Sequence, residues 1–229
     1  MTDRPRIKQV RSFHELVSTP FGGGVNALCW ARTLLGDFSE VVSQFGGGEA
    51  IVTLDEARLL ALPVSSAGKV AVDILLSDLR LLQGRDLAPV LNCINGYTRD
   101  DSPGPVSTDV FSFHADSATT EADTYLCTYH GPSSEGLSNE DARRQVEIPE
   151  IRAELRKRFG GEDNDDFRTY LNENSYDLHY AALPSARPFS FGLGNLWRIA
   201  IDYPGSPVLP CIHRAPETKP GQSRLLLIS

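Results

Sequence analysis

Two histidines and an aspartate are the residues of this sequence best placed to do chemistry. His114 and Asp116 stand two apart in Phe113-His114-Ala115-Asp116, at the end of a β-prone run, and residues two apart on a strand project from one face. His213 ends a later run, Val208 to His213, and completes a set of three if the two strands meet. Two neutral imidazoles and one carboxylate suit a borderline ion such as iron(II). The nitrogens hold the ion, the carboxylate offsets part of its charge, and open positions remain for oxygen and an organic co-substrate. His114, Asp116 and His213 are therefore the candidate metal ligands and catalytic residues, against the plainer reading of polar residues on a surface strand. Arg224 follows His213 after ten intervening residues and opens the run Arg224 to Ile228. Its planar fork of donors matches a carboxylate, which makes it a candidate anchor for a co-substrate. The rival role for Arg224 is an ion pair with Asp202 or Glu217.

The remaining polar residues point less sharply. His130 and His179 are candidate hydrogen-bond donors to a substrate, although a lone histidine is more often structural, and His14 carries no assigned role. Trp197 and Tyr203 flank a strand leading toward His213, and core packing is the expected duty of Trp197. Ser112 and Ser117 border the metal motif, but no G-x-S-x-G elbow accompanies them, so a Ser-His-Asp hydrolase is not supported. Cys29, Cys93, Cys127 and Cys211 are scattered without a C-x-x-C pair and read as buried free thiols.

These residues need a scaffold, and the hydrophobic periodicity indicates an α+β protein. The first part of the chain, residues 1–87, reads mainly as supporting helix: Asn26 to Phe45, a segment opened by a capping box at Thr53-Leu54-Asp55-Glu56 and closed by Pro63, and Ala67 to Gln83. From residue 88 to 229 short β-prone runs recur: Pro89 to Ile94, Val110 to His114, Thr124 to His130, Trp197 to Tyr203, Val208 to His213 and Arg224 to Ile228. An order of helices followed by many short strands suggests a sandwich or barrel. A charged, helix-patterned insertion at 139–187 interrupts the strands and is a candidate lid, with a helical brace as the alternative. The glycine runs at 22–24 and 46–48 lack the following Lys-Ser/Thr of a phosphate loop and read as turns.

Composition narrows the partners. The 229 residues carry a formal charge of -8, which argues against nucleic acid, since phosphate affinity comes from clustered Lys and Arg. No apolar run approaches the roughly 18 residues of a membrane span, and the N-terminus lacks a signal-peptide core. The expectation is a single-domain, cytoplasmic protein acting on a small molecule, with no nucleic acid and no membrane partner.

H-x-D, a distant His, ten residues and then Arg resembles the signature of the iron(II)/2-oxoglutarate-dependent dioxygenases, over about the C-terminal 120 residues. In more detail, Phe113 to Asp116, Leu126-Cys127-Thr128-Tyr129-His130-Gly131-Pro132, His213-Arg214-Ala215-Pro216 and Arg224-Leu225-Leu226-Leu227 are similar to an uncharacterised bacterial family of that type. The resemblance implies a double-stranded β-helix, or jelly roll, of cupin-like form with buttressing helices. It implies iron(II) on His114, Asp116 and His213, 2-oxoglutarate on Arg224, oxygen as oxidant, and hydroxylation of a small molecule such as an amino acid or natural-product intermediate. Many members place a serine or threonine two positions after the arginine; this sequence has Leu226 there. Tyr125, Thr128 or Tyr129 are the candidate replacements for that cofactor-binding hydroxyl. The alternatives are a non-catalytic cupin-like binding protein, which Leu226 favours, and a cupin-type metal enzyme that uses no 2-oxoglutarate.

Overall fold

The side chains that alternate along the strands sort into layers, and those layers fix where the polar residues face. The computed structural model describes residues 6–46, 49–101, 104–219 and 221–229. The chain begins β1 (Ile7–Val10), α1 (Phe13–Ser18), β2 (Ala27–Trp30), α2 (Phe38–Ser43), β3 (Ile51–Leu54), α3 (Glu56–Leu60) and α4 (Ser66–Gln83). It continues β4 (Val90–Ile94), β5 (Phe113–His114), β6 (Asp123–His130), β7 (Glu135–Leu137), β8 (Ala142–Arg144), α5 (Pro149–Phe159) and α6 (Asp165–Glu173). The last elements are β9 (His179–Ala182), β10 (Phe189–Ser190), β11 (Leu196–Ala200), β12 (Ile212–Arg214) and β13 (Arg224–Ile228). Seven strands form one sheet in the order β1-β2-β11-β6-β13-β4-β3, and six form a second in the order β10-β7-β12-β5-β9-β8. The result is a mixed helix and sheet protein with two β-sheets, compatible with a sandwich or jelly roll.

One face of the larger sheet is covered by helices. Tyr125, Cys127, Tyr129, Leu225 and Leu227 share an apolar cluster with Val41 of α2 and with Leu75, Leu79 and Leu82 of α4. Ser65 caps α4 by accepting from the amides of Ala67 and Gly68, as N-terminal serines do. Each fully buried leucine of this layer contributes roughly 1.5–3 kcal/mol. A polar clamp adds to it: Asp78 of α4 accepts two hydrogen bonds from Arg32, at 2.7 and 2.8 Å, and one from the Tyr129 hydroxyl at 2.6 Å. The opposite face of the same sheet places Ala27, Ile94, Leu126, Trp197, Ile199 and Leu226 against Phe191 and Cys211. That cluster lies between the sheets.

The structure departs from the sequence reading most in the first third. Ala27 to Trp30 is not the start of a helix but β2, paired with β1 and β11, and only Phe38–Ser43 of the expected helix is helical. Gly36, at φ +96°, breaks the segment, and Asp37 caps α2. Thr53 belongs to β3, and the cap of α3 is Asp55, which accepts from the Arg58 amide. Residues 1–87 thus supply three strands of the larger sheet as well as its helices. The insertion at 139–187 is also not all helix. Its β8 and β9 are strands of the second sheet, and β9 pairs directly with β5. Helices α5 and α6 pack on one another through Leu155, Phe167 and Leu171, together with Val106. The glycines at 22–24 form a turn, with Gly23 and Gly24 at positive φ, whereas Gly47 and Gly48 lie outside the described residues. All four cysteines are free and buried, and burial pushes the thiols of Cys127 and Cys211 up to about 12. No helix among the described residues is long and apolar enough to cross a membrane.

Candidate metal centre

Strand pairing brings the three candidate ligands together. In the second sheet β12 pairs with β5 so that His213 lies opposite His114, and β5 pairs with β9 so that His114 lies opposite His179. The neighbours on the other face, Phe113, Leu137, Tyr180 and Ile212, form an apolar cluster of their own. This alternation turns the three imidazoles to the same side. The rings of His114 and His213 stand 4.6 Å apart, and Phe191 from the cluster between the sheets lies 6.4 Å from His213. One ligand atom from each of His114, Asp116 and His213 can be chosen so that all lie within 4.8 Å of one another. Small side-chain rotations close such a triangle onto one ion at bonds of about 2.0–2.2 Å.

The hydrogen bonds around the three residues leave the right atoms free. Nδ1 of His114 donates to the Ser112 carbonyl at 2.8 Å, and Nδ1 of His213 faces the Cys211 carbonyl at 3.4 Å. Each imidazole is thereby held with its Nε2 lone pair available, the arrangement a metal-ligating histidine needs. Asp116 presents Oδ1 3.8 Å from His213 Nε2, while its Oδ2 accepts the Thr124 hydroxyl at 2.6 Å. One carboxylate oxygen is fixed and the other is left for a cation. The donor set fits a divalent ion, and the group can hold one.

Electrostatics agree. Burial, and next the neighbouring His213, pushes the His114 imidazole down to about 4. Burial also opposes ionisation of Asp116, but His213, the Thr124 hydroxyl and His114 outweigh it and hold the carboxyl below its usual range. Near neutral pH the His114 imidazole is therefore neutral and the Asp116 carboxyl ionised, as cation binding requires. The same shifts set a stability profile for the metal-free protein. Between about pH 6.5 and 4 the unfolded chain takes up a proton that folded His114 refuses, so unfolding becomes easier as pH falls through that window, by at most about 3 kcal/mol. Below 3.8 the lowered Asp116 acts in the same direction. Denaturant titrations of metal-free wild type and His114→Gln across pH 7 to 4 should show the loss in the former and a shallower one in the latter.

Thr124 is a residue that the sequence reading did not single out, since nothing local marks it. Its position on β6, two residues before Leu126 and on the same face, aims it across at Asp116. Thr124→Val should lower metal affinity about tenfold while leaving the fold intact, because second-layer partners of metal ligands carry effects of that size. A competition titration with a coloured chelator measures it.

Arg224 opens β13, fully buried. Its Nε donates to the Pro132 carbonyl at 2.7 Å, Nη1 to the Tyr97 hydroxyl at 3.2 Å and Nη2 to the Ser134 hydroxyl at 3.0 Å. No carboxylate among the described residues pairs with it: Asp202 is bridged to Arg144 at 3.5 Å and Glu217 to Arg99. Burial lowers the proton affinity of the guanidinium, with Tyr97 opposing. Gly131 permits the approach, since a Cβ there would run into the Ser223 carbonyl and meet Arg224 Cα at 3.1 Å.

Three hydroxyl residues expected beside Arg224 do not hydrogen-bond to it. Tyr125 and Tyr129 face the helical layer, and Tyr129 is committed to Asp78. Thr128 pairs in register with Leu226 in the larger sheet. The hydroxyls that do touch the guanidinium are those of Tyr97 and Ser134. No family model, curated protein or solved structure matches this chain.

A cavity of about 240 Å³ opens against the metal group, lined by Thr108, Asp109, His114, Asp116, Ser175 and His179 among others. A wider groove of about 590 Å³ shares Ser117 and Leu178 with it and reaches Asn172, Asp202 and Tyr203. Within the insertion, the stretch from Ser175 to His179 therefore borders the site.

Proposed function

We propose that the chain is an iron(II)- and 2-oxoglutarate-dependent oxygenase with a double-stranded β-helix core, acting on a small molecule. The observation that carries this reading is a division of labour between the two sheets. The smaller sheet presents a His-Asp-His group with free ligand atoms, and the larger one holds a fully buried guanidinium that no carboxylate among the described residues neutralises. An unpaired buried cation is costly unless an anion completes it. A dicarboxylate co-substrate accounts for both features, whereas a metal enzyme without one leaves Arg224 unexplained.

On this reading His114 and His213 hold iron through Nε2, and Asp116 through Oδ1 while Thr124 steadies its other oxygen. Arg224, with the hydroxyls of Tyr97 and Ser134, binds the distal carboxylate of 2-oxoglutarate and sets its orientation. Phe191 and Trp197, stacked at 4.5 Å, keep an apolar wall beside His213 that limits water. Iron(II) with 2-oxoglutarate and oxygen supplies the oxidation of an unactivated C–H bond to an alcohol, with succinate and carbon dioxide as the other products.

The test is direct. Protein loaded anaerobically with iron(II) should develop a weak visible absorption band only when 2-oxoglutarate is added, and admitting oxygen should then yield succinate. No band and no succinate from the wild-type chain would sink the proposal.

A further inference from the structure

Across β12, β5 and β9 the residues His213, His114 and His179 form one row in register, yet only the first two belong to the metal group. His179 is 5% exposed, its ring lies 5.7 Å from that of His114, and the ring makes no hydrogen bond among the described residues. Its Nδ1 is sealed from solvent without a partner. Nε2, equally without a partner, is not sealed, and the residue lines the cavity beside the metal group. A buried acceptor left unpaired is tolerated better than a buried N–H left unpaired. The favoured tautomer therefore leaves Nδ1 bare and places the proton on Nε2, toward the cavity.

The walls of that cavity have one sign of charge. Asp109 and Asp116 line it and Asp202 lines the adjoining groove, and no Lys or Arg is among their lining residues. In the metal-free protein Asp116 adds to this wall, and Arg144 partly offsets Asp202. Asp109 makes no ion pair among the described residues, its carboxylate oxygens accepting from the amides of Asp100, Phe111 and Ser112. An anionic group entering here meets repulsion, in contrast to the cationic end of the interior at Arg224.

We infer that His179 binds the substrate, its Nε2–H donating to an oxygen of a small polar molecule in this cavity, and that the carboxylate wall selects a neutral or cationic molecule over an anionic one. The inference deepens the oxygenase reading by naming its substrate class, and its binding step stands independently of iron. Ser175 and Thr108 offer further hydroxyls around the same space.

The experiment uses full-length, metal-free protein with ¹⁵N-labelled histidine, and zinc(II) enters only in a separate titration. Two probes share an amide carbonyl and differ in charge: N-acetylethylenediamine is a cation and N-acetylglycine an anion. The His179 ring should show the proton on Nε2, and the cationic probe should shift that signal. Its Kd should rise at least tenfold in His179→Phe, with partial recovery in His179→Gln, which keeps an N–H donor. N-acetylglycine should bind at least tenfold more weakly to wild type. Should His179→Phe not fold, the His179→Gln comparison and the wild-type tautomer decide alone. A proton on Nδ1, equal affinity for both probes, no shift at His179 with either, or unchanged affinity in the variants would overturn the inference. Zinc binding is followed in parallel by calorimetry. Probe binding without zinc binding counts against the oxygenase reading alone, and zinc binding without probe binding counts against His179 alone.

Discussion

Asp116→Ala should lower iron(II) affinity by at least about 100-fold and take 2-oxoglutarate-dependent succinate formation to background. The aspartate is the only anionic member of the group, so its loss removes both a ligand and the charge that offsets the ion; loss of a mere second-layer partner already costs about 10- to 100-fold. Thr124 then loses its 2.6 Å acceptor, and the two imidazoles remain as a pair of neutral donors. Asp116→Asn separates the causes, because it keeps the volume and an acceptor for Thr124 but not the charge. It should bind iron more tightly than the alanine variant and still fall well below wild type. Chelator competition gives the affinities, and near-ultraviolet circular dichroism establishes that each variant is folded. Wild-type affinity in Asp116→Ala would place the metal elsewhere.

The His-Asp-His group that could hold a metal was legible in the sequence because its signal is local in one part and spaced in the other. H-x-D needs only a strand end, and His213 with Arg224 needs only two short β-prone runs. The runs that became β4, β6 and β13 were read nearly to the residue, as was α4 with its apolar stripe. The segment from Asn26 misled because its apolar spacing also fits a helix, while what makes Ala27–Trp30 a strand is pairing with β1 and β11, which lies far along the chain or outside any local window. Gly36 and Asp37 were the local signs of the true break and cap.

The hydroxyls around Arg224 were missed for a different reason. Arg224 is the first residue of a strand held antiparallel between β6 and β4, so it stands beside the last residues of both. The turns that leave those strands, through Gly131 to Ser134 and Asn95 to Tyr97, therefore surround it. Once the sheet order is known, Tyr97 and Ser134 are the expected neighbours. Without it, Leu226 directs attention to β6 itself, where Tyr125 and Tyr129 turn toward the helices. His179 was seen as a residue but not as a neighbour of His114, because its segment carried a helical pattern and not a strand.

Arg224→Met should separate binding from folding. In wild type the guanidinium is fully buried, and its hydrogen-bond partners among the described residues are one carbonyl and two hydroxyls. Methionine fills much of the same space without charge. The change leaves those acceptors unpaired, at about 1–3 kcal/mol each if they find no water, but it also removes a buried cation whose desolvation costs several kcal/mol. These terms oppose, so the thermal midpoint of the ligand-free variant should stay close to wild type. Binding has no such compensation. Truncating one partner of a buried charge pair costs roughly 2–5 kcal/mol, which puts the expected rise in KM for 2-oxoglutarate at about 30-fold or more. Added 2-oxoglutarate, at about 100 times its wild-type Kd, should stabilise iron-loaded wild type by about 2.7 kcal/mol and Arg224→Met by less than about 1 kcal/mol at the same concentration. Arg224→Lys, which keeps the charge but not the fork, should fall between them. A variant that lost its thermal midpoint and kept its KM would mean the opposite division: an arginine that holds the turns after β4 and β6 together and never meets a carboxylate.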